Sequence, residues 1–169
     1  MAATYVRRGI QLVCVRPFNH IGPGQSDSFA ISSFAHQIAR IEAGLQPPQL
    51  KVGNLEARRD FLDVEDVVAA YIRALERMAE LESGLTLNLC SGISRRIGDV
   101  LSELIELADV PIDVVPDPQR MRPSDIPVAA GTADLARQRL GWAPRVPWRE
   151  TLERILGYWR VLESDGRSQ

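Results

Sequence analysis

Arg16-Pro-Phe-Asn-His-Ile-Gly-Pro-Gly-Gln-Ser-Asp27 is the stretch that decides how this chain is interpreted. A mostly apolar run, residues 11–16, is typical of a strand that leads into it. In α/β proteins, strands that end in loops of Gly, Pro and side-chain amides are common ligand-binding places. Because the loop has no carboxylate before Asp27, its amides and backbone N–H groups suit an anionic or sugar-like ligand better than a metal ion.

Five motifs, in chain order, resemble the C-terminal half of extended short-chain dehydrogenases/reductases, and more narrowly the GDP-4-keto-6-deoxymannose reductases, which are relatives of GDP-mannose 4,6-dehydratase. The motifs are residues 16–25 of the opening stretch, residues 52–64 continuing to Asp66, residues 88–92, residues 122–125 and residues 140–144. They span nearly the whole chain. The resemblance implies an α/β fold: the substrate-binding lobe of an extended Rossmann-type enzyme, with a remnant strand of the dinucleotide-binding sheet.

Two features of such enzymes are missing from the sequence. There is no Gly-x-x-Gly-x-x-Gly turn to seat a dinucleotide pyrophosphate at a helix N-terminus. There is also no Tyr-x-x-x-Lys pair, since Tyr5 is followed by Gly9 and the single lysine is Lys51. We therefore expect one substrate-binding domain over residues 1–169, in which residues 1–27 are the remnant of the Rossmann sheet and the ligand loop, and the N-terminal cofactor-binding half is absent.

The resemblance implies a function for the parent enzyme. That function is NAD(P)-dependent reduction of the 4-keto group of a GDP-6-deoxyhexose, which forms GDP-rhamnose. We expect this chain to supply substrate binding and no catalytic residue, and to bind NAD or NADP only weakly by itself. Three alternatives stay open: part of a GDP-mannose 4,6-dehydratase, part of a nucleotide-sugar 4-epimerase, or a non-enzymatic nucleotide-sugar-binding module.

The candidate substrate residues follow from what a nucleotide diphosphate-sugar requires. Arginine forks bind diphosphate, and a carboxylate can accept hydrogen bonds from a ribose diol. By the resemblance, Arg59 and Arg122 contact the diphosphate, Asp125 contacts the ribose, and Asn19 contacts the diphosphate or sugar. The alternative for Arg59 is a solvated ion pair with Asp60, which would contribute little.

Two further sets complete the candidate site. Lys51 and Val52 resemble residues that line the nucleotide base pocket, although an ordinary surface strand explains them equally well. Pro17 and Phe18 correspond to neighbours of the nicotinamide, and we group His20 with them. A histidine can act as an acid or base, but the family's proton donor is the missing tyrosine, so we do not assign His20 a catalytic role.

Several local structures are predicted from pattern. Asp27 or Ser28 should cap a helix from about residue 29 to 43, and His36 within it should be structural. Asp63 or Glu65 should begin a helix that reaches about Leu81, with an apolar face through Val67, Val68, Tyr71, Leu75 and Met78. A further helix should begin at Ser94, after a turn formed by residues 91–92 rather than a ligand contact there.

Composition limits the remaining classes. The formal net charge of −2 makes a nucleic-acid partner unexpected, and no residue spacing typical of a metal site occurs. The sequence has no apolar run of membrane-spanning length and no signal-peptide pattern, so we expect a cytoplasmic protein. Because strand 11–16 would normally lie inside a larger parallel sheet, we also expect the chain to form a homo-oligomer.

Overall fold

The structure is a computed structural model that describes residues 2–121 and 126–165. Helices and strands alternate along the chain, as expected for an α/β protein. The helices are α1 (Ala2–Arg7), α2 (Ala30–Glu42), α3 (Val64–Glu76), α4 (Ile97–Ile105), α5 (Asp134–Leu140) and α6 (Trp148–Asp165). The strands are β1 (Val13–Pro17), β2 (Asn19–Ile21), β3 (Gln49–Val52), β4 (Arg58–Asp63), β5 (Leu85–Leu89), β6 (Ser94–Arg96), β7 (Asp113–Pro116) and β8 (Val128–Ala129).

The chain folds into two compact units. The first contains residues 1–20, 60–93 and 130–146, and the second contains residues 21–59, 94–129 and 147–169. Each unit is therefore assembled from three separate segments of the chain. The single domain expected from the sequence stays a prediction.

The first unit is built on a parallel pair of strands. β1 pairs with β5 in a register that runs from Val13 opposite Leu85 to Pro17 opposite Leu89. Helices α3 and α5 pack on this pair over a core that includes Trp142, which is 2% exposed. The Trp142 indole N–H donates to the carbonyl of Asp66 over 2.8 Å, so this core aromatic residue has its polar atom satisfied. In the described part of the chain, β1 pairs with no strand other than β5.

The second unit packs helices on another parallel pair. β3 lies beside β7, and α2 contacts β3, α4 and α6. Glu42 at the end of α2 accepts two hydrogen bonds of 2.7 Å from Arg160 of α6. Burial by itself would raise the pKa of Glu42, but the Arg160 hydrogen bond, a backbone N–H and the Arg160 charge together lower that pKa. The ion pair therefore joins two helices of this unit. Its buried side chains include Ile31, Ile38, Leu50, Leu104, Leu152, Ile155 and Leu156.

A third sheet has the strand order β2-β4-β6, and β8 also pairs with β4. The β4–β8 pairing is parallel, with Arg58 opposite Val128 and Arg59 opposite Ala129. Strand β4 therefore carries both arginines of the Arg-Arg-Asp motif, and this positions the candidate site.

The structure corrects three local predictions. The helix that was expected to reach Leu81 ends at Glu76 and is followed by a single 3₁₀ turn at residues 78–80. On its expected apolar face, Val68, Tyr71 and Leu75 are 49%, 42% and 70% exposed. Spacing therefore identified the helix but placed its end too late, and it does not show how much of the apolar face is buried.

The start of the next helix also differs from prediction. Ser94 belongs to β6, and α4 begins at Ile97, because the backbone N–H of Ile97 donates to the carbonyl of Ala57 and continues the strand contact. Helix α2 has Phe29 at its N-cap with no side-chain hydrogen bond, so neither Asp27 nor Ser28 caps it. Asp63 does cap α3, accepting from the N–H of Glu65 over 2.8 Å, which confirms that prediction.

Candidate functional site

The predicted cofactor-facing residues lie where β1 ends. Pro17 is the last residue of β1, and the N–H of Phe18 donates to the carbonyl of Leu89 at the end of β5 over 2.8 Å. The Phe18 ring lies against Gly131, where an added Cβ would come within 2.5 Å of the ring. Since no side chain fits there, Gly131 allows the ring to pack at the carboxyl edge of the strand pair. In parallel sheets this edge is where ligands bind.

Asn19 and His20 come next in the chain and are exposed on the short strand β2. The Nδ1 of His20 donates to the carbonyl of Phe18 over 3.1 Å. A hydrogen bond to its own loop fits an orienting role for this histidine better than proton transfer. The side chain of Asn19 faces solvent, where an amide can bind a polar ligand.

Arg59 is half-buried on β4, and its guanidinium is held by backbone carbonyls. Its Nη1 donates to the carbonyl of Arg58 over 2.8 Å and approaches the carbonyl of Pro127 at 3.5 Å. The neighbouring Arg58 donates from Nη2 to the carbonyl of Ser94 over 2.7 Å. Asp60 is 0% exposed and its carboxylate accepts from Ser91 and Gly92, so the alternative of a solvated Arg59–Asp60 ion pair is wrong. Backbone carbonyls therefore help to orient the Arg59 guanidinium.

Arg122 and Asp125 lie outside the described residues. The residues on either side of residues 122–125 are described, and they belong to the second unit together with Arg59. On one side, the carbonyl of Arg120 packs against Gly53 so closely that a Cβ at position 53 would overlap it. On the other side, Pro127 accepts a 2.8 Å hydrogen bond from the N–H of Arg58. The chain that follows residue 125 therefore runs beside the arginines of β4.

A groove of about 390 Å³ lies in the second unit, lined by Gln37, Gln46, Pro47, Gln49, Lys51 and Arg120. Lys51 is exposed at this groove, whereas the side chain of Val52 is 2% exposed and belongs to the core. Arg120 donates from Nη1 to the hydroxyl of Ser33 over 3.0 Å. The groove therefore combines amide side chains with two cations.

Gln37 fixes the strand that carries Lys51. Its Nε2 donates to the carbonyl of Lys51 over 3.1 Å, and its Oε1 accepts from the N–H of Lys51 over 2.9 Å. The amide thus occupies the backbone hydrogen-bonding positions that β3 presents at Lys51 on the side of α2. A ligand in the groove would meet the Lys51 side chain rather than its peptide groups.

Asp60, the residue after Arg59, is completely buried. Its Oδ1 accepts from the N–H of Ser91 over 2.8 Å and from the Ser91 hydroxyl over 2.7 Å, and its Oδ2 accepts from the N–H of Gly92 over 2.8 Å. A buried carboxylate is stable only when it is hydrogen-bonded in this way. Residues 91–92 therefore form a turn, as predicted, and a carboxylate on β4 holds it.

His36 ties the loop that precedes α2 to α6. Its Nδ1 lies 3.0 Å from Oδ2 of Asp27, and its Nε2 lies 2.8 Å from Oε1 of Glu163. The imidazole stacks on the Trp159 ring with centroids 4.0 Å apart. Trp159 in turn donates to the Ser32 hydroxyl over 3.0 Å. The structural role expected for His36 is thus specific, since it anchors the end of the opening stretch.

Other chemistry is limited in the described residues. They contain no group of three or more metal-ligating side chains, and none of their helices is both long enough and apolar enough to cross a membrane. Cys14 and Cys90 are free thiols. Burial, followed by the charge of Asp60, raises the pKa of the Cys90 thiol, which makes it a poor nucleophile.

Sequence reasoning missed the roles of Asp60 and Gln37. Asp60 was considered only as the partner of an adjacent arginine, while its actual partners lie 31 and 32 residues away. Gln37 gave no signal in the sequence, because a glutamine within an amphipathic helix is unremarkable. A weak signal did exist for Asp60, since an acid inside an apolar strand such as residues 58–63 requires hydrogen-bond donors when it is buried.

A parallel strand pair with polar loops at its carboxyl edge, followed by a helical lobe, is the arrangement of the C-terminal part of extended short-chain dehydrogenases/reductases, and the fold matches that part. Residues 1–155 match the family described as GDP-mannose 4,6 dehydratase, and the chain belongs to this family. The resemblance found in the five sequence motifs is thereby confirmed.

Individual relatives agree with this assignment. GDP-6-deoxy-D-mannose reductase of Pseudomonas aeruginosa is 41% identical over 160 residues, which are 94% of this chain and 52% of that protein. The structure of RMD from Pseudomonas aeruginosa, complexed with NADPH, has a TM-score of 0.87 at 38% identity and covers 95% of this chain and 52% of its own. This chain therefore spans about half the length of these relatives.

A more distant structure shares the fold alone. UDP-glucose-4-epimerase from Stenotrophomonas maltophila, with bound NAD and formylated UDP-arabinopyranose, has a TM-score of 0.76 at 23% identity. It covers 99% of this chain and 52% of its own.

Proposed function

We propose that this chain is the nucleotide-sugar-binding part of an NAD(P)-dependent GDP-6-deoxy-4-keto-hexose reductase, which forms GDP-rhamnose. The observation that carries the proposal is the placement of Arg59 on β4 beside the segment that follows residues 122–125. Identity of 41% to a GDP-6-deoxy-D-mannose reductase supports the choice of reaction.

In this proposal the diphosphate is bound by Arg59 and Arg122, whose planar forks match its oxygens. Backbone carbonyls pre-orient the Arg59 guanidinium, so little side-chain freedom is lost when the ligand binds. Asp125 accepts hydrogen bonds from the ribose, and Asn19 contacts the diphosphate or sugar.

The groove beside β3 is the proposed base subsite. Lys51 contributes its side chain there, because Gln37 occupies its peptide groups. Val52 contributes only by supporting the strand, because its side chain is in the core and its carbonyl accepts from the N–H of Asp117. Among the cofactor-facing residues, Pro17 and Phe18 form a wall for a nicotinamide, and His20 orients their loop.

NAD or NADP would supply the hydride in the parent enzyme. The residues of this chain then place the sugar and exclude water, and hydride and proton transfer belong to groups that its sequence lacks. We further propose that the chain is a cytoplasmic homo-oligomer. The exposed apolar side chains of α3 support self-association.

Isothermal titration of the 169-residue chain with GDP, UDP and dTDP tests the proposal. We expect GDP to bind more tightly than the other two, since a relative that is 41% identical is a GDP-6-deoxy-D-mannose reductase. Equal affinities would contradict the GDP assignment, and tighter binding of UDP would favour a nucleotide-sugar 4-epimerase. Absence of binding by all three nucleotides would contradict a nucleotide-sugar function for this chain.

The family match also favours a second candidate, part of a GDP-mannose 4,6-dehydratase. Curated dehydratases are less similar, for example 24% identical for that of Vibrio cholerae. The two candidates differ in the sugar they accept. Tighter binding of a GDP-4-keto-6-deoxy sugar than of GDP-mannose would support the reductase, and the opposite order would support the dehydratase.

A further inference from the structure

Asp60 has a hydrogen-bonding arrangement that joins β4 to the turn after β5. Its carboxylate is 0% exposed and accepts three hydrogen bonds, all from residues 91–92. Those residues follow β5, whose last residue, Leu89, is paired with the last residue of β1. The turn therefore lies at the carboxyl edge of the strand pair, the edge at which ligands bind in parallel sheets.

The same residue is the immediate neighbour of Arg59 in β4. A strand has little freedom between adjacent residues, so fixing the Asp60 side chain also fixes the direction of the peptide that carries Arg59. β8 holds Arg59 from the side, opposite Ala129. The Asp60 carboxylate thus adds a second anchor one residue further along β4.

We propose that Asp60 is a positioning residue for diphosphate binding: by holding the 91–92 turn onto β4, its carboxylate fixes the backbone from which Arg59 reaches the ligand. This inference rests on the proposed function, because it requires Arg59 to contact a diphosphate. It assigns Asp60 no contact with the ligand, because its carboxylate is buried and both of its oxygens are engaged by Ser91 and Gly92.

Asp60→Asn is the informative substitution because it keeps the size and shape of the side chain. The amide oxygen can still accept from Ser91, but the amide NH₂ would face the N–H of Gly92, to which the lost oxygen was 2.8 Å away. Two donors cannot bond to each other, so the turn should detach from β4 on that side. Ser91→Ala removes only the hydroxyl donor and is a milder version of the same change.

The experiment measures affinities of GDP and guanosine by displacement of a fluorescent GDP analogue, for the full chain and its variants. A general loss of structure would weaken the binding of both ligands equally. A displaced Arg59 would weaken the binding of GDP alone, because only GDP carries a diphosphate. We expect Asp60→Asn to weaken GDP binding by roughly 3- to 10-fold and guanosine binding by less than 2-fold. The loss for GDP corresponds to one charge-assisted contact that is made imperfectly. In an Arg59→Ala background, Asp60→Asn should add less than 2-fold.

The outcomes separate this inference from the function on which it rests. If the unmodified chain does not bind GDP more tightly than guanosine, the proposed function fails, and this inference with it. A second case is that the unmodified chain prefers GDP and Arg59→Ala weakens GDP binding. If Asp60→Asn then leaves the GDP affinity unchanged, or weakens the binding of both ligands equally, only the role of Asp60 is overturned. Should Asp60→Asn not fold, Ser91→Ala decides: a loss confined to GDP supports the inference, and an unchanged GDP affinity overturns it.

Discussion

Replacing His36 with alanine is expected to loosen the end of the opening stretch and to lower the stability of the chain. The substitution removes the imidazole from between Asp27 and Glu163, and it also removes the stack on Trp159. The three lost contacts differ in strength because the partners differ in exposure.

The magnitude follows from these exposures. Glu163 is 15% exposed, and a hydrogen bond to such a charged group contributes about 1.5–3 kcal/mol. Asp27 is 53% exposed, so its contact contributes less than about 1 kcal/mol. The ring stack adds about 0.5–1.5 kcal/mol. Because Arg40 also pairs with Glu163 at 3.3 Å and remains in the variant, the loss should lie at the lower end of the sum, about 2 kcal/mol.

Denaturant and thermal unfolding, each followed by tryptophan fluorescence and by circular dichroism, measure this loss of stability. A chain of this size should lose roughly 4–8 °C in Tm for that free energy. Arg149→Ala is the matched control on α6, since its ion pair with Glu153 is exposed on both sides and should contribute less than about 0.5 kcal/mol. A His36→Ala variant as stable as this control would refute the reasoning.

Two other substitutions test the fold. Glu42→Gln should lower Tm by a few degrees at pH 7 and reduce the further loss on acidification. The reason is that the pKa of Glu42 is lower in the folded chain, so its carboxylate stabilises the fold above the ordinary carboxyl pKa of 4.5. This stabilisation disappears as the pH falls through the folded-state pKa. An unchanged dependence of Tm on acid pH in the variant would contradict the argument. Gly131→Ala should cost about 1–3 kcal/mol by displacing the Phe18 ring. Its control, Gly157→Ala, has nothing within 4 Å of the new Cβ and should be neutral or stabilising, so a similar Tm for the two variants would contradict the packing argument.

Much of the secondary structure could be predicted from local pattern. An acid, Asp63 or Glu65, was expected where a strand turns into a helix, and of the two Asp63 is the N-cap of α3. The failures have a common physical origin in contacts that are distant in sequence. Ser94 reads as a helix start, yet the strand contact through Ala57 keeps residues 94–96 extended. The spacing of apolar residues on α3 says which side chains share a face but not how much of that face is covered.

Some residues of the candidate site could be named from the sequence, and the contacts that hold them could not. The family resemblance selected Arg59 from the Arg-Arg-Asp motif, and the structure places it on β4 opposite Ala129 of β8. Its contact with a diphosphate stays a prediction. The partners of His36 and Asp60 could not be selected from sequence, since Glu163 lies 127 residues from His36 and Gly92 lies 32 residues from Asp60. Such pairs form only when the fold brings distant segments together.

The central claim is that guanidinium groups at positions 59 and 122 bind one diphosphate. It is tested most directly by titrating GDP into Arg59→Ala, Arg122→Ala and the double variant, with Arg149→Ala as the control. Each single substitution should weaken the binding free energy of GDP by about 1.5–3 kcal/mol, which is roughly 10- to 150-fold in Kd, while the control binds GDP normally. Normal GDP affinity in either single variant would contradict the account.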